Sequence, residues 1–201
     1  MENSVSAILL AAGSSSRMGQ TKQLLQLGEK PVIRHCIDAL ISARIPEIVV
    51  VVNAADNKIT QALSGLPITF VVNTTSGSDM AESVKTGLTA LGNAASGVLI
   101  CLSDHPLVRS ETIEALITEH ENLPDKIVIP CYNGRRGHPS LFPKSTLQDL
   151  HSGGTLRDII RNEPHRVVSI DTGDEGVVLD MDTPEEFHHI VETIRKKHAR
   201  S

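Results

Sequence analysis

The sequence of 201 residues predicts a single α/β domain whose mixed, mostly parallel central sheet carries helices on both faces. Three observations lead there. Short runs that are apolar at every position alternate with segments of helical spacing, the pattern of strands buried on both faces of a parallel sheet. Small-residue or aspartate-bearing loops close several of those runs. The last third then breaks the alternation with a hairpin-like insertion, which makes the sheet mixed. No repeat, low-complexity tract or linker divides the chain.

The elements follow in order. Val5 to Ala11 is an apolar run of strand length ending in a Gly/Ser cluster. Pro31 to Ala43 has helical spacing, with Val32, Ile33, Cys36, Ile37, Leu40 and Ile41 on one face. Glu47 to Val52 is almost continuously β-branched and predicts a buried strand. A polar helix over 56–63 leads to a strand over 68–72. The next helix, from about Met80 to Leu91, has Asp79 as its cap and Glu82 three residues on. Val98 to Leu102 is a uniformly apolar strand, and Glu111 to Glu121 a helix. Lys126 to Pro130 reads as a strand, Asn133-Gly134 as a turn, and Pro139 to Phe142 as the short partner strand. Thr155 with Asp158 opens a short helix, Arg166 to Ile170 is a further strand, and Thr183-Pro184-Glu185-Glu186 starts a final helix reaching about Lys197.

Composition narrows the function. Aromatic residues are 2% of the chain, with no Trp, too few rings for a single-strand stacking platform. A net charge of −5 gives no basic field to gather nucleic acid. No apolar run approaches the ~20 residues of a bilayer span, so neither nucleic acid nor membrane is an expected partner. The N-terminus lacks the basic flank of a signal peptide. Three cysteines, odd in number and far apart, read as reduced thiols of a cytoplasmic protein.

In open α/β sheets ligands bind at the carboxyl ends of the strands, and three features stand there. The segment from Leu10 to Lys22 (LAAGSSSRMGQTK) combines small residues, whose backbone N–H groups can cradle an anion, with the cations Arg17 and Lys22. Together they suit a triphosphate. The spacing is neither that of a Walker loop nor Gly-x-Gly-x-x-Gly. Ser103-Asp104-His105-Pro106 ends the strand at 98–102, and Asp104 is placed to bind Mg²⁺. His105 is the weaker member and reads equally as a surface imidazole. Asp182, just ahead of the last helix, can face the same cation, or can simply sit at a helix N-terminus. His188 and His189 are adjacent on a helix and point apart. Two carboxylates with an Arg/Lys pair point to phosphoryl or nucleotidyl transfer.

Leu-Ala-Ala-Gly-x₃-Arg-Met-Gly-x₂-Lys at 10–22 resembles the opening loop of the MobA-like nucleotidyltransferases, a Rossmann-like family. Within that superfamily the chain is most similar to the molybdenum cofactor cytidylyltransferases. The similarity also covers Gly77 through Gly87, Ser103 to Pro106, Gly137-His138-Pro139 and Asp180 to Glu185. It implies transfer of a cytidylyl group from CTP to the phosphate of molybdenum-loaded molybdopterin, with release of pyrophosphate. Arg17, Lys22 and Asp104 would be catalytic, and Asp104 and Asp182 would hold Mg²⁺. Ala11, Ala12, Gly13, Arg17, Lys22, Gly77, Ser83 and His138 would contact the substrates. Related guanylyltransferases carry Gly where Ala12 stands, and its methyl would narrow the base pocket toward a pyrimidine. Ser83 would offer a hydroxyl to the cytosine edge, and His138 would bond a pterin ring or acceptor phosphate. Where many of these proteins have Gly-Asp-x-Gly-Ala-Arg, this chain has Ser152 to Arg157, which keeps the Arg but not the acid; Arg157 would reach an acceptor phosphate or simply pair on the surface.

Other readings stay open: a sugar- or polyol-phosphate acceptor, a GTP-dependent molybdopterin guanylyltransferase, or a non-catalytic cofactor-delivery module on the same fold. The resemblance further implies a receiving partner, either a cofactor-insertion chaperone or an apoenzyme of the xanthine dehydrogenase type. Oligomeric state is not legible, and oxygen ligands alone do not separate Mg²⁺ from Mn²⁺.

Overall fold

In a computed structural model of the protein, residues 4–13, 21–54, 57–75 and 79–198 are described. The first strand, β1 (Ser4–Leu10), buries both of its faces: Val5, Ala7 and Leu9 enter one core, Ile8 and Leu10 the other. A single 3₁₀ turn at Lys22–Leu24 precedes a small antiparallel hairpin, β2 (Gln26–Leu27) and β3 (Lys30–Pro31). Helix α1 (Val32–Ser42) buries Val32, Ile33, Cys36, Ile37 and Leu40 as its spacing predicts. Then follow β4 (Ile48–Asn53), α2 (Asn57–Ala62), β5 (Thr69–Asn73), α3 (Met80–Ala90), β6 (Ala95–Leu102) and α4 (Ser110–Asn122). The remainder comprises β7 (Ile127–Tyr132), β8 (Arg135–Arg136), β9 (Ser140–Pro143), α5 (Leu156–Asn162), β10 (Val167–Asp171) and α6 (Pro184–His198).

The strands form one mixed sheet in the order β5-β4-β1-β6-β9-β7-β10, with β8 attached to β7. Neighbours pair in parallel except around β9 and β8, which run antiparallel to theirs. Helices α1, α2 and α4 pack on one face, where Ile37, Leu40, Ile59 and Leu116 meet Leu9, Val50 and Leu99. On the other face α3, α5 and a 3₁₀ run at Lys144–Ser152 contribute Val84, Ile159, Leu147 and Leu150, which pack on Ile8, Val51 and Ile100. A third cluster joins Leu27 and Val32 to Met181 and Ile190 of the C-terminal segment. That cluster ties residues near the first strand-end loop to the start of α6, and so brings Lys22 and Asp182 within reach of each other.

Helix starts follow the capping chemistry. The N–H of Glu82 donates to Asp79 Oδ1 at 2.9 Å at the head of α3. Thr155 and Asp158 make a reciprocal capping box at α5. At α6 the Glu186 carboxylate accepts from both Asp182 N (2.7 Å) and Thr183 N (2.8 Å). Such caps contribute about 1 kcal/mol each, and the last also fixes the backbone that carries Asp182.

The insertion differs from the sequence expectation in its pairing. Asn133 (φ 50°) and Gly134 (φ 76°) both take the left-handed backbone of a tight hairpin turn. The chain therefore returns at once as β8 on β7, before Pro139 is reached. Beyond it Gly137 passes so close to Val177 that a Cβ there would come within 2.1 Å of the Val177 carbonyl oxygen. This crossing carries the chain into β9, which pairs Gly97 to Ile100 of β6 on one side and Val128 of β7 on the other. The segment expected as a hairpin partner of β7 is thus the strand that joins the two parallel parts of the sheet. Among the described residues no helix is long and apolar enough to cross a membrane.

Candidate active site

Strands β1 and β6 are neighbours, yet the connections leaving them run to opposite sides: β4 and β5 lie beyond β1, whereas β9, β7 and β10 lie beyond β6. At such a switch point the loops diverge and leave a crevice at the strand carboxyl ends. A cleft of about 360 Å³ opens there, with Ala12, Gly13, Lys22, Ser83, Asp104 and Asp182 in its wall.

Three charged groups from distant parts of the chain meet in it. The Lys22 ammonium donates to Asp104 Oδ2 at 2.7 Å and to Asp182 Oδ1 at 2.8 Å. Asp104 Oδ1, the other oxygen of that carboxylate, lies 2.8 Å from His105 Nδ1. An ionised carboxylate only accepts, so His105 presents Nδ1–H to it. Burial alone would raise the Asp104 carboxyl, but the hydrogen bond from His105 and the Lys22 ammonium outweigh it and hold the group well below the usual carboxylate range. Burial would lower the Lys22 ammonium, and the two carboxylates overcome this and raise it. The cluster thus sets the Lys22 ammonium between the side chains of Asp104 and Asp182. His105 is buried, where the sequence allowed a surface imidazole, and it fixes the Asp104 plane.

The other expected residues are distributed unevenly. Ala12, Gly13 and Ser83 line the cleft. Ala11 is fully buried, packed into the core beneath, and its N–H donates to Val51 O at 2.9 Å. His138 does not line the cleft; its ring lies edge-on to that of His105, with centroids 5.3 Å apart, and it reaches Asp104 through His105. It borders a small apolar cavity with Cys36, Cys101 and Val108. Arg17 and Gly77 lie outside the described residues.

Two asparagines were not singled out from the sequence. Asn53 and Asn73 end β4 and β5 in register with each other. Asn53 Nδ2 donates to the Ala12 carbonyl at 2.5 Å and so holds the loop after β1. Asn73 Nδ2 donates to Ser83 Oγ at 3.0 Å. The available signal was an amide closing each β-branched run (VVVVN, TFVVN) at the end of the sheet where ligands bind. Gln23, buried beside Lys22, is a further cleft residue that carried no sequence signal.

The donor set fits a hard divalent cation. Asp104 and Asp182 already converge on a single cation, the Lys22 ammonium, and Mg²⁺ is commonly held by one or two carboxylates together with waters and substrate phosphates. Among the described residues no group of three or more His, Cys, Asp or Glu could hold a metal unaided. The rest of the shell would therefore come from a nucleotide and water.

The histidines set an acid limit on stability. Burial, reinforced by His105 and opposed by Asp104, pushes His138 down to about 4, and its Nδ1 is buried without a partner. Burial also lowers His120, whose ring nitrogens are both unpartnered in the core. Below about pH 6.5 the unfolded chain takes up protons at these rings while the folded chain does not. Stability should therefore fall as pH drops from about 6.5 toward 4, by on the order of 3 kcal/mol through His138 alone. Asp104 and Lys22 are shifted away from this window in opposite directions and stay charged throughout it. Thermal melts at pH 7.5 and pH 5 check this, and equal midpoints would contradict the burial of neutral rings.

The description of the family model that matches residues 7–167 is MobA-like NTP transferase domain. The chain is 27% identical over 199 residues to a nicotine blue oxidoreductase from Paenarthrobacter nicotinovorans, covering 93% of this chain and 96% of that protein. It is 28% identical over 200 residues to a molybdenum cofactor guanylyltransferase from Shewanella woodyi, covering 96% and 98%. The solved structure of a nucleotidyl transferase from Methanothermobacter thermautotroptrophicus matches with a TM-score of 0.85 at 23% identity, over 97% of this chain and 99% of that one, and shares its fold. The family match runs from β1 through the strand-end loops, Asp104 and β9, and ends ahead of Asp182. The chain belongs to the MobA-like NTP transferase family.

Proposed function

We propose that the protein is a divalent-metal-dependent cytidylyltransferase that joins CTP to molybdenum-loaded molybdopterin. The observation that carries the reading is the Lys22 ammonium held between Asp104 and Asp182 at the sheet's switch point. A terminal phosphate oxygen of the acceptor attacks the α-phosphorus; the bond to the β-phosphate oxygen breaks, and pyrophosphate leaves. A divalent cation held by Asp104 and Asp182 would supply charge neutralisation at the phosphates when bound. Lys22 contributes a fixed positive charge to the same oxygens, and Arg17 would add a second from the loop after β1. His105 holds Asp104 in the orientation its role requires. A phosphate monoester is already anionic at neutral pH, so no protein base or nucleophile is needed.

Relatives named for molybdenum cofactor chemistry support the pathway. One of them is named a guanylyltransferase, so the choice of CTP rests on this chain's own residues. Ala12 and Ser83 both line the cleft, where the methyl group of one would narrow the base pocket and the hydroxyl of the other would reach the base. The relative named an oxidoreductase suggests different chemistry. Two carboxylates on one ammonium suit a metal–triphosphate substrate better than electron transfer. His138, on the far side of His105, would face the acceptor.

Titration calorimetry with CTP and GTP in the presence of Mg²⁺ tests base choice. CTP should bind at least tenfold more tightly, about 1.4 kcal/mol. Ala12→Gly should narrow that gap by restoring room for a purine. An unchanged CTP/GTP ratio in the variant would reject the pocket argument.

A further inference from the structure

We infer that Asn73 is a positioning residue for base selection: it fixes the Ser83 hydroxyl as a hydrogen-bond donor toward the nucleobase. The inference rests on the cytidylyltransferase reading and deepens it. The side-chain amide of Asn73, at the carboxyl end of β5, is buried at 4% exposure. Its Oδ1 accepts from the Thr75 N–H at 3.0 Å, and a backbone N–H can be satisfied only by an acceptor. That contact fixes which end of the amide is oxygen. The group facing Ser83 Oγ is therefore the NH₂, a donor only, at 3.0 Å. Ser83 must accept there, so its own proton is left to donate elsewhere.

Ser83 stands in the first turns of α3 on the cleft wall. A hydroxyl polarised in this sense suits an acceptor edge. Cytosine presents two adjacent acceptors, ring N3 and carbonyl O2, whereas uracil replaces the first with N3–H. A hydroxyl proton directed at ring position 3 meets an acceptor in cytosine and an opposing N–H in uracil, and in that arrangement Asn73 selects cytosine without touching it.

Asn73→Asp is the sharp test. A carboxylate can still accept from Thr75 N–H, but it would also accept from Ser83, which reverses the hydroxyl and turns lone pairs toward the base. The KM for CTP should rise about tenfold with kcat little changed, and the preference for CTP over UTP should shrink. Because a buried carboxylate can destabilise the chain, melting temperature is measured alongside, and Asn73→Ala provides a second variant with a freely rotating hydroxyl. Its KM should fall between those of the parent and Asn73→Asp. The deciding comparison is a double-mutant cycle. In a Ser83→Ala background, Asn73→Asp should leave the KM for CTP unchanged. Additive effects of the two substitutions would overturn the inference, as would an unaltered KM in folded Asn73→Asp. A parent chain that turns over CTP while these variants behave alike would reject Asn73 alone. A parent that uses no pyrimidine nucleotide would reject the underlying reading and this inference with it.

Discussion

Lys22→Ala should lower kcat for nucleotidyl transfer by about 10²–10³ while changing the KM for the nucleotide by less than about threefold. The range is that of removing one preorganised electrostatic donor from a transition state. In the structure the ammonium is buried and already fixed at 2.7 and 2.8 Å from two carboxylates. It is therefore held at the strand ends, beside the carboxylates that would hold the cation and within reach of the charge that builds on the leaving pyrophosphate. A contribution made mainly in the transition state appears in kcat, whereas one made equally to bound substrate appears in KM. Steady-state kinetics on the purified variant distinguishes the two. Equal kcat in variant and parent would remove Lys22 from the reaction.

Asp104→Asn should cost more, at least about a thousandfold in kcat, because it takes a charge from the cation pocket and leaves one oxygen for two donors, Lys22 and His105. Asparagine keeps the shape, and its carbonyl can still accept from Lys22 or from His105. Asp182 and the Glu186 cap are untouched. The loss of stability should stay within about 2 kcal/mol, a few degrees in Tm for a chain of this size. Activity lost with the fold kept separates this account from the non-catalytic delivery module, for which in-cell function should survive the substitution. Pyrophosphate release and a thermal melt on the same preparation give both readouts.

Much of the fold was legible because its determinants are local. The run at 5–11 is apolar except for Ser6, as suits a strand covered on both sides, and β1 buries both faces. Asp79, Thr155 and Thr183 announced their helices by capping chemistry confined to three or four residues. The pairing of β9 with β7 was legible, but its pairing with β6 was not, because it depends on a backbone crossing between Gly137 and Val177, forty residues apart in sequence. The 3₁₀ run at Lys144–Ser152, which buries Thr146, Leu147 and Leu150, is too short and polar to stand out from a loop in the sequence.

The candidate site divides in the same way. Lys22, Asp104 and Asp182 each stood at a loop where the strand-end rule places chemistry, and the structure joins them through one ammonium. In the sequence His105 is only a weak candidate and Asn73 none at all, because their importance lies in which atom of a neighbour they hold. That information belongs to packing: a histidine after an aspartate, or an asparagine after two valines, has many surface precedents. Ala11 is a contrasting case. The family motif spans it, but strand alternation turns its side chain into the core, and Ala12 is the alanine on the cleft.

The central claim is that this cleft transfers a cytidylyl group. The most direct measurement is pyrophosphate release from CTP, GTP, ATP and UTP with Mg²⁺, each with and without molybdenum-loaded molybdopterin. Release from CTP alone, and only when the pterin is present, is the predicted result. Release that favours GTP, or none from any nucleotide with the pterin present, would contradict it.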